Sequence, residues 1–534
     1  MEIKLMFRFI LNETKDLRKY QIMLVGIFLL GALLNILFAL NLKLFINSVV
    51  NNGIDVFQTI YTLTLGIGSV LITFTGIYSM EILKRKSQVN LWKKLCSRIF
   101  HSDMNEFKKE SPGVYISKIL SDTTLVGNLL GGLIPAVIVN SIRFASWIIA
   151  LGIINIYLMY LTLIFLPIFI LIYLKQAKGL LFSSLMERKA YGELTESLRN
   201  KIEATQMIKS FSVENVMNNL FEKESMTWYK KMKRVIFLLN IYGHIYLLLS
   251  IIIPLIVLLF INMMSVVDAG TVLVYFYFSS MILEPLTILV TDLGSMSQAL
   301  PAVERVKKVM NLKQENFGKV ELDKISNIVL DDVHYSYDGV EVLKGINLKI
   351  SRDSCVAIVG PTGSGKSTLA RILNGLYNPT KGMVKINDIP IKNYNKSLRK
   401  KVILCTGEDP VLPGTVKDNI TLFENRFSER DVKEVINLLE LEFDINTKIG
   451  PGVRDISLGQ QQRIVLARAL IRKPECLILD EALSGINPEL EKRIVSKIKA
   501  IVPILIIITH REATVAHASQ VYFLKDGKLF SELS

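Results

Sequence analysis

Gly360-Pro361-Thr362-Gly363-Ser364-Gly365-Lys366-Ser367-Thr368 follows a short apolar run, Cys355 to Val359, and precedes the helix-like Leu369 to Leu376. Strand, glycine-rich loop, helix is the order of a phosphate cradle. Glycines admit backbone N–H groups close to a polyphosphate, Lys366 offsets the charge of its β and γ phosphates, and the Ser367 hydroxyl is placed to ligate Mg2+. Cys476-Leu-Ile-Leu-Asp480-Glu481 reads as a buried strand with two acids at its tip. Asp480 can hold Mg2+ through its water shell, and Glu481 can act as general base or position the attacking water. A third apolar run, Ile504 to Ile508, ends in Thr509-His510, whose neutral imidazole can contact the γ-phosphate and hold the water against Glu481. Upstream, Val333 to Asp338 carries two tyrosines, Tyr335 and Tyr337, either of which offers an aromatic face to adenine. These groups together call for ATP and Mg2+.

The elements around them divide the chain of 534 residues in two. The first 300 or so residues hold the long apolar segments behind a hydrophobic share of 50% and a mean hydropathy of +0.38. Gln21 to Leu42 and Phe57 to Met80 each carry no charge until the last residues are passed, and each can cross a hydrocarbon core of about 30 Å as a helix. Leu125 to Leu174, charged only at Arg143, suits two helices joined near Ile153 to Ile156. Val235 to Ile261 gives a fifth span, and about Gly270 to Thr291 a sixth, interrupted by Glu284-Pro285. Lys84, Arg85, Lys86, Lys93 and Lys94, with Lys230, Lys231, Lys233 and Arg234, fall on one side of this pattern, which makes it the cytoplasmic side and places both termini there. Much of the +15 net charge is accounted for in this way, so nucleic acid is not expected as a partner. Met1 to Tyr20 is charged and amphipathic, without a cleavable signal pattern, and the domain plan is a cytoplasmic elbow helix over 1–19, a transmembrane domain over 20–310 and an ATPase domain over 311–534. Cys96, Cys355, Cys405 and Cys476 are irregularly spaced and imply neither disulfides nor a zinc site.

In this order the motifs resemble the ABC (ATP-binding cassette) transporter superfamily, in its exporter half-transporter plan. Ile456-Ser457-Leu458-Gly459-Gln460-Gln461-Gln462-Arg463 looks like the family's signature, usually L-S-G-G-Q-x-Q-R. Phe107 to Asp122 resembles the first intracellular loop, and Ile208 to Glu214 a segment of the second. The resemblance implies a six-span α-helical membrane domain followed by an α/β P-loop ATPase domain, and makes Tyr337 the tyrosine that faces adenine. It also implies a dimer in which each ATP lies between one subunit's cradle and the other's Ser457, Gly459 and Gln460. Closure on ATP would switch a membrane cavity from inward to outward access, through coupling segments at about Ser111 to Ser117 and Gln206 to Glu214.

The sequence departs from that pattern at four places. Leu458 stands for the first signature glycine, Asn487 for the usual D-loop Asp, Pro451 for a common Glu, and Glu408 for the Q-loop Gln, where it can still ligate Mg2+. A homodimer that tolerates these changes is expected ahead of a heterodimer with one degenerate site. Ionisable residues inside spans make Arg143, His244 and Glu284 the cavity candidates. Their mixed charges suit a small amphipathic substrate such as a peptide, a drug or a lipid, exported across a cell membrane. Leader processing is not expected of the chain, and its outer connections are too short for a receptor domain. An ATP-driven sensor without transport, and an importer on the same fold, are the alternatives.

Overall fold

The computed structural model describes residues 17–264, 268–337, 339–510 and 515–531, so most of the expected elbow helix lies outside the described residues. The chain forms two compact units. One comprises residues 1–100 and 110–312, and the other residues 101–109 and 313–534.

Six long helices build the first unit: α1 Arg18–Asn52, α2 Val56–Phe100, α3 Ile134–Ile154, α4 Ile156–Glu203, α5 Glu214–Met264 and α6 Ala269–Met310. Five helical stretches among the described residues, including α1, α2, α4 and α5, are long and apolar enough to cross a membrane, the remaining one running from Pro112 to Ile154. In α6 the apolar described stretch is Ala269–Phe278. The break expected near Ile153 to Ile156 falls at Asn155, whose backbone is extended and whose side chain caps α4 by accepting from Tyr157 N and Leu158 N. Asp268 caps α6 likewise, through Thr271 N. The expected interruption at Glu284-Pro285 is absent: α6 runs helically through both Pro285 and Pro301. At 45 residues α2 is about 67 Å long, so it outruns the hydrocarbon core and projects beyond it. The buried centre of this unit gathers Trp147, Leu158, Val257, Tyr275 and Phe278, with Trp147 and Phe278 rings 4.5 Å apart.

The second unit is built on a six-stranded sheet. Its strands, in chain order, are β1 Asn327–Tyr337, β2 Val340–Ser351, β3 Ser354–Val359, β4 Lys381–Ile386, β5 Ile389–Pro390, β6 Val402–Thr406, β7 Gly414–Thr415, β8 Lys448–Ile449, β9 Cys476–Asp480, β10 Ile504–Ile508, β11 Gln520–Lys525 and β12 Lys528–Ser531. The main sheet runs β12-β11-β3-β10-β9-β6, parallel except for β12, and β2-β1-β4-β5 form a second, antiparallel sheet. Continuous apolar runs such as Cys476 to Leu479 follow from burial on both faces. Leu477, Leu479, Leu505 and Ile507 pack into one core, while Cys476, Ile478, Ile504, Ile506 and Ile508 pack into another on the opposite face. Among the helices of this unit are α7 Lys366–Leu373, α8 Glu429–Leu438, α9 Leu458–Leu470 and α10 Pro488–Ile501. Cys405 and Cys476 are fully buried, which pushes both thiols up and leaves them unreactive.

Candidate nucleotide site

Register brings the site together. Ile508 pairs with Ile358 on one side and Asp480 on the other, and Asp480 pairs with Thr406. Four parallel strands therefore end in one row, and the residues that follow each of them emerge at one edge of the sheet. Gly360, the Gly407-Glu408 turn, Glu481 and Thr509-His510 are those residues. Backbone bonds fix them there, with Glu481 N donating to Ile508 O and Gly407 N to Asp480 O, both at 3.0 Å.

The loop after β3 is built to let backbone approach closely. A Cβ at Gly360 would lie 2.1 Å from Leu524 O, and Gly365 caps α7 at φ 103°, a conformation that favours glycine. That cap starts the helix at Lys366, three residues before the sequence pattern suggested, and sets Lys366, Ser367 and Thr368 in its first turn. Lys366 is buried, and its ammonium donates to the carbonyl oxygens of Gly360 and Pro361, both at 2.8 Å. Ser364 Oγ is buried with no hydrogen-bond partner among the described residues. A cationic group folded back onto its own loop beside an orphaned hydroxyl fits an anionic ligand in this cradle.

Asp480 is buried at the tip of β9, and burial pushes its carboxyl above the usual carboxylate range, while a hydrogen bond with the Ser367 side chain pulls the other way. A carboxylate and a hydroxyl so placed are hard oxygen donors of the kind Mg2+ takes. Glu481 holds a left-handed backbone at φ 53°, unusual for a non-glycine residue, and Oε1 lies 3.6 Å from His510 Nδ1. Both side chains are exposed, free to face a ligand. Tyr337 is half-buried; its ring stands edge-on to Tyr335 (4.9 Å) and Tyr377 (5.9 Å), and its hydroxyl lies 3.4 Å from Thr368 Oγ1.

The signature residues form a self-contained cap. Ser457 Oγ accepts from Gln460 N (3.3 Å) and Gln460 Oε1 accepts from Ser457 N (3.0 Å), a capping box that starts α9. The Leu458 side chain is exposed on this cap and packs against Gly485, where a Cβ would lie 2.7 Å from Leu458 Cγ. Asn487 caps α10 by accepting from Glu489 N, so the departure from Asp keeps the helix start. Pro451 sits in a turn between β8 and α9, and Glu408 is exposed.

Two features escaped the motif reading. Gln462, fully buried, donates to Ser484 Oγ and accepts from Gly485 N, which ties α9 to the loop after Glu481. Residues 101–109 belong to this unit: Asp103 N donates to Lys313 O, Glu315 N to His101 O, and Tyr335 Oη to Asn105 Oδ1 at 2.7 Å. Nothing in local sequence signals a contact between positions 105 and 335.

In the membrane unit the polar residues around Arg143 and His244 bond to their own helices. Asn140, Ser141 and Ser146 hydrogen-bond backbone carbonyls three or four residues back in their own helix, and His244 Nδ1 meets Asn240 O at 2.8 Å. Arg143 is half-buried on α3. The Glu284 side chain lies outside the described residues. Interhelical polar contacts occur instead at Tyr246 Oη with Gln176 Oε1 (2.8 Å) and at Thr162 Oγ1 with Tyr275 Oη (3.0 Å).

Residues 343–484 match the family described as ABC transporter, and residues 22–286 match ABC transporter transmembrane region. The chain is similar to a multidrug resistance-like ATP-binding protein, MdlB, of Buchnera aphidicola: 27% identical, covering 96% of this chain and 92% of that protein. It is also similar to the transport/processing ATP-binding protein ComA of Streptococcus pneumoniae, 26% identical over 86% of this chain and 67% of that one. Its fold matches the structure of a bacterial Atm1-family ABC exporter with ATP bound, at a TM-score of 0.78 and 19% identity, covering 97% of this chain and 96% of the other.

Proposed function

The chain belongs to the ABC transporter family, as a multi-pass membrane protein with an ATP-hydrolysing cassette, and from that premise we propose that it exports a small amphipathic substrate by alternating access in a dimer. The observation that carries the reading is the single row of strand ends at which Gly360, Asp480, Glu481 and His510 lie, with Lys366 of α7 bonded back to Gly360 O and Tyr337 Oη 3.4 Å from Thr368 Oγ1. Tyr337 stacks the adenine, and Gly360 to Thr368 wrap the phosphates, with Lys366 leaving the Gly360 and Pro361 carbonyls to meet them. Ser367, Asp480 and Glu408 are the residues that would hold Mg2+, which would supply positive charge against the β and γ phosphates. Glu481 takes the proton of the attacking water, and His510 keeps carboxylate and water in place. Family members of this plan work as dimers, and Ser457, Gly459 and Gln460 would close over the partner's nucleotide.

Export is supported by the names of its relatives, among them multidrug resistance and transport/processing proteins. The basic residues beyond the apolar parts of α2 and α5, Lys84 to Lys94 and Lys230 to Arg234, support a cytoplasmic side for the cassette and both termini. A homodimer is the reading adopted. One observation favours a heterodimer as the second: Leu458 is 54% exposed, so its isobutyl group stands where a partner's γ-phosphate would approach.

Transport in proteoliposomes tests the reading. With a fluorescent lipophilic cation and a fluorescent amphipathic peptide as probes, ATP-dependent movement lost in Lys366→Ala supports transport, and its direction separates export from import. Nucleotide binding without flux of either probe supports the sensor instead. Mg2+-dependent ATPase of the chain purified alone, absent in Glu481→Gln, supports the homodimer.

A further inference from the structure

Lys108 and Arg371 meet at one aromatic ring. The Lys108 ammonium lies 5.3 Å from the centre of the Tyr377 ring, and the Arg371 guanidinium carbon 6.0 Å from the same centre. Tyr377 stacks on Tyr335 at 5.3 Å with the rings 8° from parallel, and stands edge-on to Tyr337. Lys108 comes from the short stretch between α2 and the next membrane helix, and Arg371 from α7, one turn beyond Ser367 and Thr368. The stretch is firmly seated: Met104 packs into the cassette core, and Asn105, one residue on, accepts from Tyr335 Oη. Lys108 follows Met104 by four positions, so a helical turn carries it to the same side.

Two like charges held together need a counter-charge. Among the described residues no carboxylate pairs with the Lys108 ammonium, and no hydrogen bond is made by the Arg371 guanidinium, although Asp480 feels its field. Desolvation and the neighbouring Arg371 both lower the Lys108 pKa, as expected of a cation placed without an anion. Aromatic rings satisfy part of this charge, but not its mutual repulsion. The arrangement is therefore unfavourable by itself and becomes favourable when an anion arrives. The ring that gathers both cations touches Tyr337, and Tyr337 reaches Thr368 at 3.4 Å, so the anion at hand is the one the cradle takes.

We propose that Lys108, together with Arg371, is a second phosphate-binding group of the nucleotide site, contributed from between the membrane helices rather than from the cassette sequence. The inference rests on the reading of the cradle as an ATP site. A charge-assisted contact of this kind is worth about ten-fold in affinity.

The test uses the full chain in nanodiscs, with binding of a fluorescent ATP analogue and thermal melts with and without ATP. Lys108→Gln is expected to bind about ten-fold more weakly, Lys108→Glu more weakly still, and Lys108→Arg close to wild type. The ATP-free melting temperature of Lys108→Gln should hold or rise, since a like charge is removed. Binding of Lys108→Gln at wild-type affinity overturns the proposal. So does an equal loss in Gln and Arg variants accompanied by a lower ATP-free melting temperature, which marks a structural role. Lys366→Ala serves as control: if it binds ATP as wild type does, the ATP-site reading fails, and not the assignment of Lys108 alone.

Discussion

Gly485 N donates to Gln462 Oε1 at 2.7 Å, and the same amide of Gln462 donates to Ser484 Oγ at 3.0 Å. One fully buried side chain thus clasps the signature helix to the loop that follows Glu481. Gln462→Ala should leave the Gly485 amide without its buried acceptor, at a cost of about 2 kcal/mol, or roughly 4–8 °C in the melting temperature of the cassette transition. Scanning calorimetry of the full chain reads this; an unchanged transition would remove the clasp from the account.

Glu481→Gln keeps the shape of the residue and removes its basicity. ATPase should fall by about 10²–10⁴-fold, while the ATP-induced rise in melting temperature persists. His510→Ala should lower the rate without abolishing it, because His510 Nδ1 lies 3.6 Å from the Glu481 carboxylate and acts on it from outside. Retained turnover in Glu481→Gln would reassign the base.

Leu458 is the first residue of α9 and packs on Gly485. Leu458→Gly should lower ATP-free stability by about 1 kcal/mol through the helix start. If the isobutyl group obstructs closure over a partner's nucleotide, the same change raises ATPase of the purified chain several-fold. Equal rates in the two proteins would show that Leu458 is accommodated in the closed dimer.

His334 stands between two carboxylates, with Nδ1 2.7 Å from Glu341 Oε1 and Nε2 3.1 Å from Asp332 Oδ1. The Glu341 hydrogen bond raises its pKa above the ordinary 6.5, with partial burial opposing and Asp332 adding to it. A raised folded pKa means stabilisation that is fully present below 6.5 and lost as pH climbs through the folded value. The difference in melting temperature between wild type and His334→Gln should therefore be largest near about pH 5.5 and vanish at about pH 8.5. A difference that grows with pH would contradict the assignment.

The nucleotide motifs were legible because each is local. A glycine loop between a five-residue apolar run and a helix, an acid pair after Cys476 to Leu479, and a histidine after Ile504 to Ile508 carry their chemistry in their own spacing. The spans were legible for the same reason, since a hydrocarbon core of about 30 Å demands about twenty apolar residues in a row. Asn155 and Asp268, short polar residues between apolar runs, mark where helices restart. The cavity candidates Arg143, His244 and Glu284 were less so: His244, and Asn140, Ser141 and Ser146 around Arg143, spend hydrogen bonds on their own helices, which sequence alone does not distinguish from bonds to a ligand.

Only the tertiary structure decided which of these residues meet. The register of β3, β10, β9 and β6 sets Ile358, Ile508, Asp480 and Thr406 in one row, and with it the distance between Glu481 and His510. Tyr335 finds Asn105, and Lys108 finds Arg371, across more than two hundred residues, because a segment flanked by membrane helices packs onto the cassette core through Met104. The sequence determined the chemistry through local spacing, which any short stretch of chain expresses by itself. The partnerships depend on long-range packing, whose loop-closure cost is met only when the whole core forms, and no short stretch of sequence records it.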